Sequence, residues 1–114
     1  MKRKLNEVML LEDKMEKVYE IVELAKKTGK IKKGANETTK ALERGKAKFV
    51  AYAADVTPKE ITMHIPLMAK EKGIPCMEVP SKEELGAAAG LGRGTAAIAV
   101  LVEGEAKALI EEMK

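Results

Sequence analysis

Apolar residues recur at helical spacing near the start of the chain: Leu5, Val8, Leu11, Met15, Val18, Ile21, Val22 and Ala25 share one face. This predicts a helix over 5–28, stopped by Gly29 just after Lys26 and Lys27. Lys30 to Lys33 reads as a short strand with Ile31 inward. Asn36 reads as a helix N-cap, and Glu37 to Arg44 as a helix closed by Gly45. Phe49 to Ala54 is a mostly apolar run, as in a buried strand. In Asp55-Val56-Thr57-Pro58, Thr57 reads as the cap of a helix and Pro58 as its first residue. That helix runs toward Lys72, and Pro66 should kink or restart it. Gly73-Ile74-Pro75 ends it, and Cys76 to Val79 is a short strand. Ser81-Lys82-Glu83-Glu84 has capping-box form and opens a helix through Ala89. A glycine-rich loop, Gly90 to Thr95, leads to a strand over Ala96 to Val102. Glu105 to Met113 is the last helix.

Helices alternating with short apolar strands predict a layered α/β fold with helices on both faces of the sheet. No linker, repeat or low-complexity tract interrupts the pattern, so residues 1–114 read as a single domain.

Composition narrows the chemistry. Apolar residues make up 46% and charged residues 34%, a globular balance. With a single cysteine, Cys76, no intramolecular disulfide can form, and a lone Cys is ordinarily a small buried hydrophobe in a reducing compartment. Met1-Lys2-Arg3-Lys4 is basic, but the apolar run from Val8 to Leu11 is too short for a signal-peptide core. No stretch approaches the roughly 18 apolar residues of a membrane span, so the expectation is a cytoplasmic protein without membrane contact. With one His and one Cys, a metal cage of soft ligands is not expected, nor is any cofactor. The pairs Glu83-Glu84 and Glu111-Glu112 are adjacent on helices, so their side chains diverge and share no substrate. His64, in an apolar helix, reads as a buried, hydrogen-bonded histidine rather than a base. No residue is a catalytic candidate, and the chain does not read as an enzyme.

The net charge is +3, and its distribution says more. Between Lys26 and Lys48 lie Lys26, Lys27, Lys30, Lys32, Lys33, Lys40, Arg44, Lys46 and Lys48, against only Glu37 and Glu43. The N-terminal helix and the tail are acid-rich. A clustered basic segment suits a polyanion, because neutralised phosphates release counterions. A solvated charged surface would carry the same residues.

Two segments stand out. The loop Gly90-Leu91-Gly92-Arg93-Gly94-Thr95 resembles a phosphate cradle, but such loops follow a strand and open a helix, whereas this one follows a helix and opens a strand. It is no nucleotide site, although its glycines allow close approach to RNA. Lys32-Lys33-Gly34-Ala35-Asn36-Glu37-Thr38-Thr39-Lys40 gathers Asn36, Glu37 and Lys40 at one helix start, where free N–H groups and the dipole favour anions. Asn36 donates and accepts, Glu37 accepts and Lys40 donates, a mixture suited to base edges. From spacing alone, an N-cap followed by an i,i+3 ion pair explains these residues as well.

The run Gly29 to Gly45, with its Gly34-Ala35-Asn36-Glu37-Thr38-Thr39-Lys40 centre, closely resembles the archaeal kink-turn-binding ribosomal proteins of the L-seven-Ae family. Further matches follow in order: Ala54-Asp55-Val56 with Pro58-Lys59-Glu60-Ile61, His64-Ile65-Pro66-Leu67, Lys72-Gly73-Ile74-Pro75, Ser81-Lys82-Glu83-Glu84-Leu85-Gly86 and Gly94-Thr95-Ala96-Ala97-Ile98-Ala99. The likeness covers residues 17 to about 110. It implies a three-layer α-β-α sandwich around a mixed four-stranded sheet. It also implies recognition of kink-turns, in which tandem sheared G·A pairs flank a bulge. Carried onto this chain, Asn36, Glu37 and Lys40 would contact the G·A pairs. Lys33, Gly34 and Arg44 would support the adjacent backbone, with Ala35 in the same segment and Lys82 nearby. Leu91, Gly92, Arg93, Gly94 and Thr95 would cover the bulged nucleotides. The implied partners are ribosomal RNA, box C/D and H/ACA guide RNAs, ribonuclease P RNA and the other subunits of those particles. Archaeal relatives commonly carry an acid and an apolar residue where this chain has Gly92 and Arg93. The alternative is a protein-interaction module on the same fold that does not bind RNA.

Overall fold

The computed structural model describes residues 16–112, so Leu5, Val8, Leu11 and Met15 of the expected first helix, and Met113 of the last, lie outside it. Helix α1 is seen over 16–28. Strand β1 (Lys30–Lys33), helix α2 (Ala35–Glu43) and strand β2 (Phe49–Ala53) follow. Then come α3 (His64–Glu71), β3 (Cys76–Val79), α4 (Lys82–Ala88), β4 (Ala97–Val102) and α5 (Lys107–Glu112).

The strands lie in the order β1-β4-β2-β3. β4 pairs antiparallel with both β1 and β2, and β2 pairs parallel with β3, so the sheet is mixed. Alternation along the central strands sorts their side chains into two cores. Phe49, Ala51 and Ala53 of β2 and Ile98 and Val100 of β4 face Val18, Ile21 and Val22 of α1, Leu85 of α4 and Ile110 of α5. Val50 of β2 and Ala97 and Ala99 of β4 face Leu42 of α2 and Ile65 and Ala69 of α3. Helices thus cover both faces of the sheet, in the three-layer arrangement the resemblance implies. The small residues Ala97 and Ala99 let α2 lie close on β4, which brings the start of α2 to the start of that strand.

Three local expectations need correction. Asn36 is not the N-cap of α2; Gly34 is, and the helix opens at Ala35. The Gly34 N–H donates to Ala97 O at 2.8 Å, prolonging the β1–β4 ladder by one bond. Its φ of 100° and ψ of 155° then turn the chain straight into the helix, a conformation open essentially only to glycine.

Thr57 does not cap a helix with Pro58 at its first position. Pro58 is extended and precedes a 3₁₀ turn, Lys59–Ile61, and α3 begins only at His64. This puts Pro66 in the first turn of α3, where its missing N–H has no intrahelical partner to lose. The last helix is likewise shorter than expected, with a 3₁₀ turn over Gly104–Ala106 ahead of α5. Ser81 caps α4 as read, its Oγ accepting from Glu84 N at 3.2 Å, and Asp55 Oδ1 accepts from Lys82 N at 2.9 Å.

Candidate nucleic-acid interface

The start of α2 sits at the sheet edge because Gly34 bonds β4 and then turns. Its cap uses no side chain, so Asn36 is exposed with no hydrogen bond of its own among the described residues. Glu37, half-buried one residue on, pairs with exposed Lys40 at 3.6 Å. The expected i,i+3 ion pair therefore exists, but it is largely solvated and worth only about 0.2–0.5 kcal/mol. A ligand that offers Glu37 better donors can displace Lys40 at small cost.

The glycine-rich loop is tied to the same corner. Thr95 Oγ1 donates to Ala97 O at 3.2 Å, the carbonyl that also accepts the Gly34 N–H at 2.8 Å. One oxygen at the head of β4 thus joins the loop to the start of α2. Thr95 N donates to Lys82 O at 3.0 Å, which brings in the first residue of α4. Gly86, buried in α4, lies so close to the loop that a Cβ there would run into Arg93 O and come within 2.9 Å of Gly94 Cα. Lys33, Gly34, Ala35, Asn36, Glu37, Lys40, Lys82 and the Leu91–Thr95 segment therefore gather around one corner of the sheet. Gly92 and Arg93 are exposed, Leu91 and Gly94 half-buried and Thr95 buried. Leu91, Gly92, Arg93 and Gly94 line a hollow against Glu83 and Ala87 of α4.

Arg44 is not part of that corner. It closes the far end of α2, about 12 Å along the axis from Asn36. There it lines a cleft with Lys32, Glu37, Lys40, Ala41, Lys46 and Leu101. Lys32 and Lys46 belong to the basic run but were not singled out from sequence. The alternation of β1 was the available signal: Lys32 stands opposite Ala99, on the α2 side of the sheet.

His64 and Cys76 serve the framework. Thr39 Oγ1 donates to Ala35 O at 2.8 Å and meets His64 Nε2 at 2.7 Å. With the hydroxyl hydrogen used on Ala35, Nε2 must donate, so half-buried His64 pins the start of α3 to α2. Half-buried Cys76 has its thiol pushed up to about 12 by burial and then by the Glu78 carboxylate. At neutral pH it remains a thiol, and we expect it to alkylate at pH 8 more slowly than free cysteine; equal rates would contradict this burial. Among the described residues no three His, Cys, Asp or Glu side chains gather as a metal cage requires. No helix among them is long and apolar enough to cross a membrane.

A mixed four-stranded sheet between two helical layers, with a glycine-capped helix start and a glycine-rich loop at one corner, defines a class of small α/β sandwich. The chain belongs to the ribosomal protein L7Ae/L30e/S12e/Gadd45 family, whose family model matches residues 16–110. Among solved structures it is similar to the Giardia lamblia 15.5kD RNA binding protein, at 32% identity and a TM-score of 0.83. That match covers 89% of this chain and 84% of the other.

Proposed function

We propose that this protein is a non-catalytic scaffold that recognises kink-turn RNA through the start of α2 and holds it bent for other subunits of a cytoplasmic ribonucleoprotein. The observation that carries this reading is the helix start itself. Gly34 satisfies the backbone turn, so the Asn36 side chain is left for a ligand, and Glu37 is held only by its solvated pair with Lys40. Glu37 would repel a bare phosphate, yet it accepts from guanine amino and imino groups. Lys40 and the dipole end of α2 supply the balancing positive charge. Lys33, Ala35 and Lys82 flank these groups, and the loop from Leu91 to Thr95 stands where bulged nucleotides would lie. Membership of the family, and likeness to a protein described as RNA-binding, support the same reading. Aromatic residues are only 3% of the chain, which argues against a module that stacks bases.

In this reading the native partners are kink-turns of ribosomal, guide or ribonuclease P RNA. The test compares binding to a kink-turn RNA with binding to a plain duplex of the same length, across a salt series. We expect preference for the kink-turn, with log affinity falling by about 0.7 to 0.9 per log unit of salt for each phosphate neutralised. Equal affinity for the two RNAs would remove the base-reading role of α2, and a flat salt response would remove the electrostatic role of the basic run. The alternative of a protein-interaction module is favoured only by the exposure of Ile61, Met63 and Leu67 along the 3₁₀–α3 segment. Retained kink-turn preference would exclude it as a sole function.

A further inference from the structure

We propose that the outer edge of β3 takes an extended segment of a partner protein as a fifth strand of the sheet, with a basic residue of that segment opposite Glu78 and an apolar one opposite Cys76. This surface lies at the sheet edge away from β1 and stands independently of the RNA reading above.

β3 stands last in the strand order, so one of its sides has no strand beside it. Its parallel pairing with β2 decides which groups face that side. Val50 N donates to Pro75 O at 3.0 Å and Ala54 N to Val79 O at 2.8 Å, with Val50 in register with Cys76 and Tyr52 with Glu78. In that register Pro75, Met77 and Val79 turn their backbone groups toward β2. The N–H and C=O of Cys76 and Glu78 therefore point outward, as two donor–acceptor pairs about 6.7 Å apart. Among the described residues no turn or loop backbone bonds to them. An added strand meets donors and acceptors at that spacing. The opposite edge is protected, because β1 carries Lys30, Lys32 and Lys33, and charged edges resist pairing. β3 carries only Glu78 as a charge, among Cys76, Met77 and Val79. Pro75 and Pro80 bound it, which keeps the added strand short.

The side chains beside this edge select the partner. Cys76 packs with the α2 and α3 core, whereas Met77 and Val79 belong to the core on the other face. Alternation puts Glu78 on the α3 face with Cys76. There Glu78, Tyr52, Lys59, Thr62, Met63 and Pro66 line a hollow of about 330 Å³. Glu78 is exposed and makes no ion pair among the described residues, not even with Lys59 across the hollow. Its carboxylate bears on Tyr52 instead, whose phenol is pushed up to about 12 by burial first and by Glu78 next. A carboxylate beside a neutral phenol ring, with Met63 and Pro66 as an apolar wall, fits the cationic end of a long basic side chain. In antiparallel addition the residue hydrogen-bonded opposite Glu78 projects from this same face, where opposite charges attract. Two residues further along the segment, the neighbour of half-buried Cys76 meets no charge and is apolar. The charge and the exposed backbone thus define one occupant, an extended basic–x–apolar segment.

The test titrates a capped synthetic peptide, Thr-Val-Arg-Val-Val-Thr, into the isotope-labelled full chain without RNA. The Cys76 and Glu78 amide resonances should shift, and their hydrogen exchange should slow. Replacing the peptide's arginine by glutamate should weaken binding about five-fold, since a like charge then stands opposite Glu78. Glu78→Lys, at an exposed position, should keep the fold and invert that preference. Methylating the arginine's backbone nitrogen, which faces Glu78 O, should abolish binding. Methylating the nitrogen of the next valine, which faces away, should be tolerated. Equal tolerance of the two methyl groups would overturn strand addition, and so would shifts confined to residues away from β3. Equal affinity for the arginine and glutamate peptides would overturn the basic partner. Exchange at Cys76 and Glu78 that slows with rising protein concentration, and no peptide present, would assign the edge to a second copy of this chain and overturn the proposal. None of these outcomes bears on kink-turn binding, which has its own comparison with a plain duplex.

Discussion

Glu37→Gln is expected to weaken binding to kink-turn RNA by about 1–3 kcal/mol while leaving affinity for a plain duplex nearly unchanged. The carboxylate is acceptor-only and can take two hydrogen bonds from one guanine edge. The amide replaces one of those acceptors with a donor, which then faces a donor on the base. Glutamine has nearly the same shape, and the ion pair it removes, to Lys40 at 3.6 Å, is weak and solvated. Loss of affinity therefore reports on the RNA contact and not on the helix. Lys40→Ala should act differently, weakening both RNAs, because an ammonium contributes field more than base selection. Filter binding with the two RNAs side by side reads the difference. A uniform loss for Glu37→Gln would make that residue structural, and circular dichroism must show both variants folded, since Glu37 lies in the first turn of α2 and Lys40 in its last.

The second large effect is expected at Gly86, which touches no ligand in any reading of the site. Gly86→Ala places a methyl against Arg93 O, 2.9 Å from Gly94 Cα and 3.0 Å from Arg93 C. All three atoms are backbone, so no side chain can swing away, and either α4 or the loop must move. Overpacking of this kind costs about 1–3 kcal/mol of stability. The movement falls on Arg93 and Gly94 in the middle of the loop, beside Thr95, whose N–H and hydroxyl are bonded to Lys82 O and Ala97 O. Kink-turn affinity should therefore drop further than global unfolding explains, at temperatures where the variant is still folded. Thermal melts and RNA binding at 10 °C separate the two contributions. Unchanged melting would show that the loop yields freely, and unchanged binding in a destabilised variant would show that its position is irrelevant to RNA.

Much of this arrangement is legible in the residue pattern because it depends on short-range physics. The apolar run of Phe49–Ala53 and the Ser81 cap on α4 dictate local structure whatever surrounds them. The gathering of Asn36, Glu37 and Lys40 on one helix start also follows from spacing alone, since they lie within a turn of each other.

Other features depend on partners distant in the chain. Asn36 has an N-cap side chain, and local preference assigns it that role. The bond from Gly34 N to Ala97 O moves the helix start back to Ala35 and frees Asn36. No local rule contains Ala97. Likewise, the loop from Leu91 to Thr95 and the start of α2 lie far apart in sequence, and only the shared carbonyl of Ala97 brings them together. Arg44 shows the reverse: it is near Lys40 in sequence, but helical rise carries it out of the corner and into the cleft with Lys32 and Lys46. The sequence by itself determined which segments become helices and strands, and which residues have chemistry suited to RNA. The pairing of β1 with β4, and the packing of α2 on Ala97 and Ala99, decided which of them share a surface, because strand register and helix contact join residues that local preference cannot connect.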